Sequence, residues 1–184
     1  MLFLGLSYMH SAATTTFAQQ TCEDTATTET KEIDEECGFQ TGLLMPINRD
    51  MAIATTDPKY CPCDLKHIVT FKFKEGTTKE QIDEVRRRFM ELQTKCLLPN
   101  GTQYIKSVVS GFQHSYEGAH RDQEIGFIVS FKSQGDRNYY VGEPMLSAED
   151  SDLFDPVHAE FKTFVGPLLD FDSSIPAFVF DFCA

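Results

Sequence analysis

His67-Ile68-Val69-Thr70-Phe71-Lys72-Phe73-Lys74 places His67, Val69, Phe71 and Phe73 on one side of an extended chain and both lysines on the other. That two-residue period is the pattern of a half-buried strand. Gly76 ends it, and a different period begins. Thr78 and Gln81 have capping-box spacing, and Ile82, Val85, Phe89 and Leu92 recur as one helical face to about Lys95. A second strand is predicted over 104–110 and a third over 125–131, where Ile125, Phe127, Val129 and Phe131 share a face. The polar segment between them, 111–123, holds His114 and His120, read as loop histidines. Residues 136–141 predict a short helical turn, followed by a loop around Pro144. A second helix carries Val157, Phe161, Phe164, Val165 and Leu168 on its apolar side, with Gly166-Pro167 placed to bend or end it. Ala177-Phe178-Val179-Phe180-Asp181-Phe182 reads as the closing strand. The order β-α-β-β-α-β is an α+β, ferredoxin-like arrangement.

The second helix starts within Asp155-Pro156-Val157-His158-Ala159-Glu160-Phe161. Asp155 is a good N-cap, because its carboxylate accepts the free N–H groups of the first turn, and Pro156 suits the first helical position. His158 follows about one turn in, where the helix macrodipole opposes protonation. A neutral imidazole there suits a general base or a hydrogen-bond acceptor for a ligand, set against an ordinary polar residue of a first turn.

The chain has 184 residues, enough for one hydrophobic core plus an extension. Its 28 acidic and 16 basic side chains give a net charge of −12, which repels nucleic acid and anionic membranes, so neither is expected as a partner. Arg86-Arg87-Arg88 falls on the helix after the first strand and reads as a solvated face. Residues 1–20 pass from a short apolar run into small side chains, resembling a secretory leader too short to span a bilayer. Six cysteines and the acceptor triplet Asn100-Gly101-Thr102 also point to a secreted, disulfide-bonded glycoprotein. Cys61-Pro62-Cys63 has one intervening residue, too few for a zinc pair, and no Cys-x-x-Cys redox motif exists. No metal and no cofactor are therefore expected. Residues 21–63 form an acidic extension that cannot build a core alone, in which 42–47 and 51–53 are expected to pack as a loop or short strand. The domain proper is placed at 64–184.

Several pieces, in order, resemble the stress-responsive A/B barrel (Dabb) family. They are Lys66-His67-Ile68-Val69-Thr70-Phe71-Lys72-Phe73-Lys74, the segment 136–141, Asp155-Pro156-Val157-His158-Ala159-Glu160-Phe161, and Phe178-Val179-Phe180-Asp181-Phe182. The resemblance covers about the last two thirds of the chain, and 145–153 reads as an insertion. It implies a dimeric α/β barrel, a homodimer built by packing sheet against sheet. In such a sheet the first and last strands are antiparallel neighbours, which sets Cys183 beside Cys61 or Cys63. The first helix returns Cys96 to the same end, to pair with one of the remaining thiols, and Cys22 or Cys37 tethers the extension.

A plant member of that family is a polyketide cyclase, and the resemblance carries over residue by residue. His158 matches its helix-start histidine, His67 its first-strand histidine, and Tyr140 or Tyr139 its tyrosine. The Tyr and His158 would share proton abstraction and enolate stabilisation, while His67, Val69, Phe71, Phe73 and Phe127 would wall the ligand pocket. Two departures weigh against catalysis: the insertion between Tyr140 and Asp155, and Ile125, Gly126 or Phe127 where the cyclase has a further histidine. The favoured reading is therefore a secreted, non-enzymatic protein that binds a partner or a small apolar ligand. The alternative is a cyclase-like enzyme using a Tyr/His pair for aldol-type ring closure.

Overall fold

The computed structural model describes residues 48–173 and 175–184; the expected leader, Cys22, Cys37 and residues 42–47 lie outside the described residues. Helix α1 (Arg49–Thr55) precedes strand β1 (Pro62–Phe71), helix α2 (Lys79–Lys95), strands β2 (Ile105–Phe112) and β3 (Ile125–Ser133), and helix α3 (Gln134–Val141). Helix α4 (Pro156–Val165) and strand β4 (Ala177–Cys183) complete the order, with 3-10 turns at Ala148–Leu153 and Gly166–Leu168. The strands form one sheet in the order β2-β3-β1-β4, and every pairing is antiparallel. This is the ferredoxin-like arrangement that the alternating periods predict.

Because the strands share a register, their inward residues coincide. Val69 stands opposite Phe127 on one side and Val179 on the other. Leu65, Val69, Phe71, Phe127, Val129 and Phe131 are buried under Val85, Phe89 and Leu92 of α2 and Phe161 and Val165 of α4. Phe89 stacks on Phe127 with ring centroids 3.8 Å apart. The capping box is present at Thr78 and Gln81. Arg87 and Arg88 face solvent and pair with Glu84, as a solvated helix face should. Among the described residues no helix covers the sheet's other face, where Val109, Ile128, Phe178, Phe180 and Phe182 are exposed.

Two expectations need correcting. Residues 51–53 are helical rather than loop or strand: Asn48 caps α1 by accepting from the Met51 N–H at 2.9 Å. Arg49 then reaches across to Asp150 (2.8 Å) and Asp152 (2.7 Å), so α1 clasps the inserted segment. The chain after α1 also packs tightly on α3. A Cβ at Gly135 would fall 1.8 Å from the Asp57 carbonyl oxygen, so only glycine permits this approach.

The second correction concerns the thiols. Cys183 is bonded to Cys63, one of the two partners left open for it, and Cys61 is also disulfide-bonded. Cys96, expected in a disulfide, is free and fully buried. It caps the C-terminus of α2 with its sulfur turned into the core beside Asp155 and Tyr104, whereas Cys183 lies exposed on the edge strand.

Candidate functional site

Helix α4 begins where the sequence places it, and Asp155 does more than cap it. One carboxylate oxygen accepts from the N–H groups of Val157 (2.8 Å) and His158 (3.1 Å), and the other accepts from the Tyr104 hydroxyl (2.8 Å). Asp155 is 1% exposed, so nothing from solvent replaces these bonds. Asp155→Ala is expected to cost about 2–4 kcal/mol in urea unfolding, combining a lost cap with a buried hydroxyl left without its acceptor. A loss of a few tenths would mean that water reaches the site.

His158 Nδ1 lies 2.6 Å from the backbone carbonyl of Tyr140. A carbonyl only accepts, so Nδ1 carries the proton and Nε2 keeps its lone pair. Burial, reinforced by the charge of Lys162, pulls the His158 pKa down to about 3, against the opposing pull of the Tyr140 carbonyl. The imidazole is therefore neutral, with burial the leading cause. Lys162 donates to the Val141 (2.9 Å) and Glu143 (3.0 Å) carbonyls, pinning the end of α3 and the start of the insertion to α4. The insertion thus does not part the tyrosine from the histidine.

Their mutual geometry is stacking. The Tyr140 and His158 ring centroids are 3.7 Å apart with an interplanar angle of 17°. The Tyr140 hydroxyl is buried and makes no hydrogen bond among the described residues. Burial raises its pKa well above the ordinary phenol value. Tyr139 points elsewhere: its ring meets Tyr104 edge-on at 5.4 Å and its hydroxyl reaches the Leu97 carbonyl at 3.4 Å. Burial pushes its phenol up to about 12. An unpartnered buried hydroxyl costs about 1–3 kcal/mol. Tyr140→Phe is accordingly expected to raise the melting temperature, and a lower one would reveal an unseen partner for the hydroxyl.

His67 meets the same cluster from the sheet. Its ring lies edge-on to Tyr140 at 5.7 Å, and Nδ1 donates to Asp181 at 2.6 Å. Arg137 of α3 donates to the other Asp181 oxygen. Burial alone would raise Asp181, but the His67 hydrogen bond and the Arg137 guanidinium outweigh it and hold this carboxyl below its usual value. Asp181 and Arg137 were not among the expected site residues. The signal for Asp181 was available, since it is the one acid in β4.

The other expected wall residues, Val69, Phe71, Phe73 and Phe127, are each at most 6% exposed. They are spent on aromatic packing, with Phe71 5.6 Å from Phe127 and 6.4 Å from Phe73. His67, Tyr140 and His158 thus converge inside the core, and Tyr139 does not join them. Among the described residues no group of three or more His, Cys, Asp or Glu side chains is placed to hold a metal ion, and no helix is long and apolar enough to cross a membrane.

Comparison with known proteins sets this arrangement in context. The chain resembles a solved Arabidopsis thaliana protein at 22% identity and a TM-score of 0.50, covering 65% of this chain and 94% of that one. It also resembles the hydroxynitrile lyase of Passiflora edulis (17% identity, TM-score 0.47, 67% and 94% covered). A dimeric ferredoxin-like protein of unknown function from Jannaschia sp. CCS1 aligns at 15% identity and a TM-score of 0.48, with 65% and 98% covered. No curated protein matches the chain. The profile of the Stress responsive A/B Barrel Domain matches residues 65–183, well over half of the chain. With that match and the sheet order in agreement, the chain belongs to the stress-responsive A/B barrel (Dabb) family.

Proposed function

We propose that this protein is a secreted, disulfide-stabilised homodimer that acts by binding a small apolar ligand or a partner protein, without turning it over. The observation that carries the absence of turnover is the Tyr140–His158 pair. Its rings stack, the Nδ1 proton of His158 is committed to a backbone carbonyl, and no hydrogen bond links phenol to imidazole. A proton relay needs such a bond, directly or through one water. Dimerisation is supported by the five exposed apolar side chains on the open sheet face, a patch that water solvates poorly. Light scattering on the purified chain should give twice the monomer mass. A monomer at micromolar concentration would sink the assembly.

The polyketide-cyclase alternative keeps one observation in its favour, the orphaned Tyr140 hydroxyl, which a substrate carbonyl oxygen would satisfy. Incubation with a linear β-polyketide thioester decides between the two. Aromatic product should form only at the protein-free rate; protein-dependent ring closure that Tyr140→Phe abolishes would overturn the binding reading. Secretion draws support from the paired cysteines and from Asn100, which is exposed in a turn. Its Oδ1 accepts the Thr102 N–H at 3.0 Å. Expression in a secreting eukaryotic cell should yield a glycan that Asn100→Gln removes; unmodified protein retained in the cell would contradict it.

A further inference from the structure

The open face of the sheet tapers. Strand register sorts its outward residues into three rows that cross all four strands: Phe182, Lys66, Ser130 and Ser107; Phe180, Ile68, Ile128 and Val109; Phe178, Thr70, Gly126 and Gly111. Every row begins with a phenylalanine on β4 and ends on β2 with serine, valine or glycine. The face is therefore a wedge, thick along β4 and thin along β2. Its one charged residue, Lys66, is paired with Asp64 at 3.0 Å and donates to Ser130 at 3.1 Å, so the row can be covered without stranding a cation.

The wedge is thinnest in the third row. Gly111 and Gly126 lack the positive φ that would demand glycine. A Cβ at Gly111 would meet nothing within 4 Å, and at Gly126 the nearest atom, Thr70 Cγ2, is 3.5 Å away. Glycine inside a strand weakens it and often marks a place where another group comes close. The hollow here, about 380 Å³, is lined by Thr70, Gly111 and Gly126 and bounded by Phe178. A cavity of about 150 Å³ already holds a benzene ring. At the thick edge Phe178, Phe180 and Phe182 are 47%, 53% and 42% exposed. Rings and hollow lie three strands apart, about 14 Å, so one chain cannot bring them together.

We infer that a second copy of this chain packs on the open face with its β4 over this chain's β2, so that Phe178 of the partner subunit fills the hollow over Gly111 and Gly126 and Phe180 of the partner subunit meets Val109. The inference rests on the homodimer proposed above and fixes its orientation. Sheets packed face to face keep their strands within about 30° of each other, and in a two-fold pair every contact occurs twice. Two in-plane axes satisfy both conditions. An axis along the strands lays thick edge on thin edge and keeps the sheets evenly spaced. An axis across the strands lays β4 on β4 and β2 on β2, which crowds the phenyl rings and leaves the glycines over a gap without contacts.

The test exchanges ring and hollow in the full chain. Gly111→Phe sets ring against ring in its own dimer, and Phe178→Gly sets hollow against hollow, so each should weaken self-association by at least about tenfold. Mixed in equal amounts, the two variants complement each other. Native mass spectrometry should then show heterodimer well above the half that random pairing gives, and the double variant should again self-associate. Val109→Phe with Phe180→Val repeats the exchange in the middle row with residues that strands favour, should a glycine variant misfold. Random pairing of stable dimers in both exchanges would overturn this orientation and leave the dimer standing. A wild-type chain that stays monomeric at micromolar concentration would overturn the inference together with the dimer it rests on.

Discussion

Replacing Cys63 or Cys183 with serine should lower the unfolding free energy by about 5 kcal/mol, from the loss of a cross-link that closes almost the whole domain. The bonded cysteines are 120 residues apart in sequence, and the entropy a cross-link removes from the unfolded chain grows with the logarithm of that span. The native state adds a local reason. Among the described residues strand β4 is an edge strand paired with β1 alone, and its Phe178, Phe180 and Phe182 lie on the exposed face. At its end Cys183 stands opposite Leu65, and the Ala184 N–H donates to Asp64 at 3.0 Å, so the disulfide pins the place where the strand would fray. Asp181, which anchors His67, lies two residues before it on the same strand. For a chain of this size the change corresponds to a fall of about 10–20 °C in melting temperature. Urea unfolding of unreduced wild type and variant at equal slope measures it. Cys96→Ala is the contrast: that thiol is free and forms no cross-link, so its loss should cost about 1 kcal/mol and be insensitive to reductant. A Cys63→Ser loss no larger than that of Cys96→Ala would mean strand register alone holds β4.

What the sequence made legible was whatever is periodic. The alternation through Val69, Phe71 and Phe73 and the helical spacing of Val85, Phe89 and Leu92 survive as buried faces because burial is what creates those periods. Strand β1 starts earlier than its alternation suggests, at Pro62, because a register irregularity between Pro62 and Leu65 interrupts the pattern. Helix α1 went unread because it buries only Ala52 and is held by Arg49 pairing with acids 101 and 103 residues away, which no local window contains. Within the site, His158 and His67 could be named, but not which tyrosine meets them. Adjacent residues of a helix point about 100° apart, so a small rotation of α3 selects Tyr140 over Tyr139. Cys96 failed for a similar reason: topology brings its backbone near the right end of the sheet, but side-chain direction sends the sulfur inward.

Acid should destabilise this domain well before its carboxylates titrate, and His158 is the cause. Its pKa falls from an ordinary 6.5 to about 3 in the folded protein, chiefly through burial and then through Lys162. Between those values the unfolded chain binds a proton that the folded chain refuses, so stability must rise with pH across the window. The contribution is complete above about pH 6.5 and is lost as the pH falls, at up to about 1.4 kcal/mol per pH unit, on the order of 4 kcal/mol by pH 3. Asp181 acts in a separate window. Its folded pKa is depressed below 3.8, so its contribution is intact above that value and disappears only as pH falls through the folded one. His158→Phe retains a ring against Tyr140 and removes the titration. It should be less stable than wild type at pH 7, through loss of the bond to the Tyr140 carbonyl, yet its stability should be nearly flat from pH 6.5 to 4.5 while wild type declines. Parallel curves for the two proteins would show that His158 takes up its proton without unfolding. The outcome bears on function as well as stability. An imidazole that resists protonation down to about pH 3 gains little by accepting a proton at neutral pH, so the burial that makes acid harmful also makes His158 a weak general base.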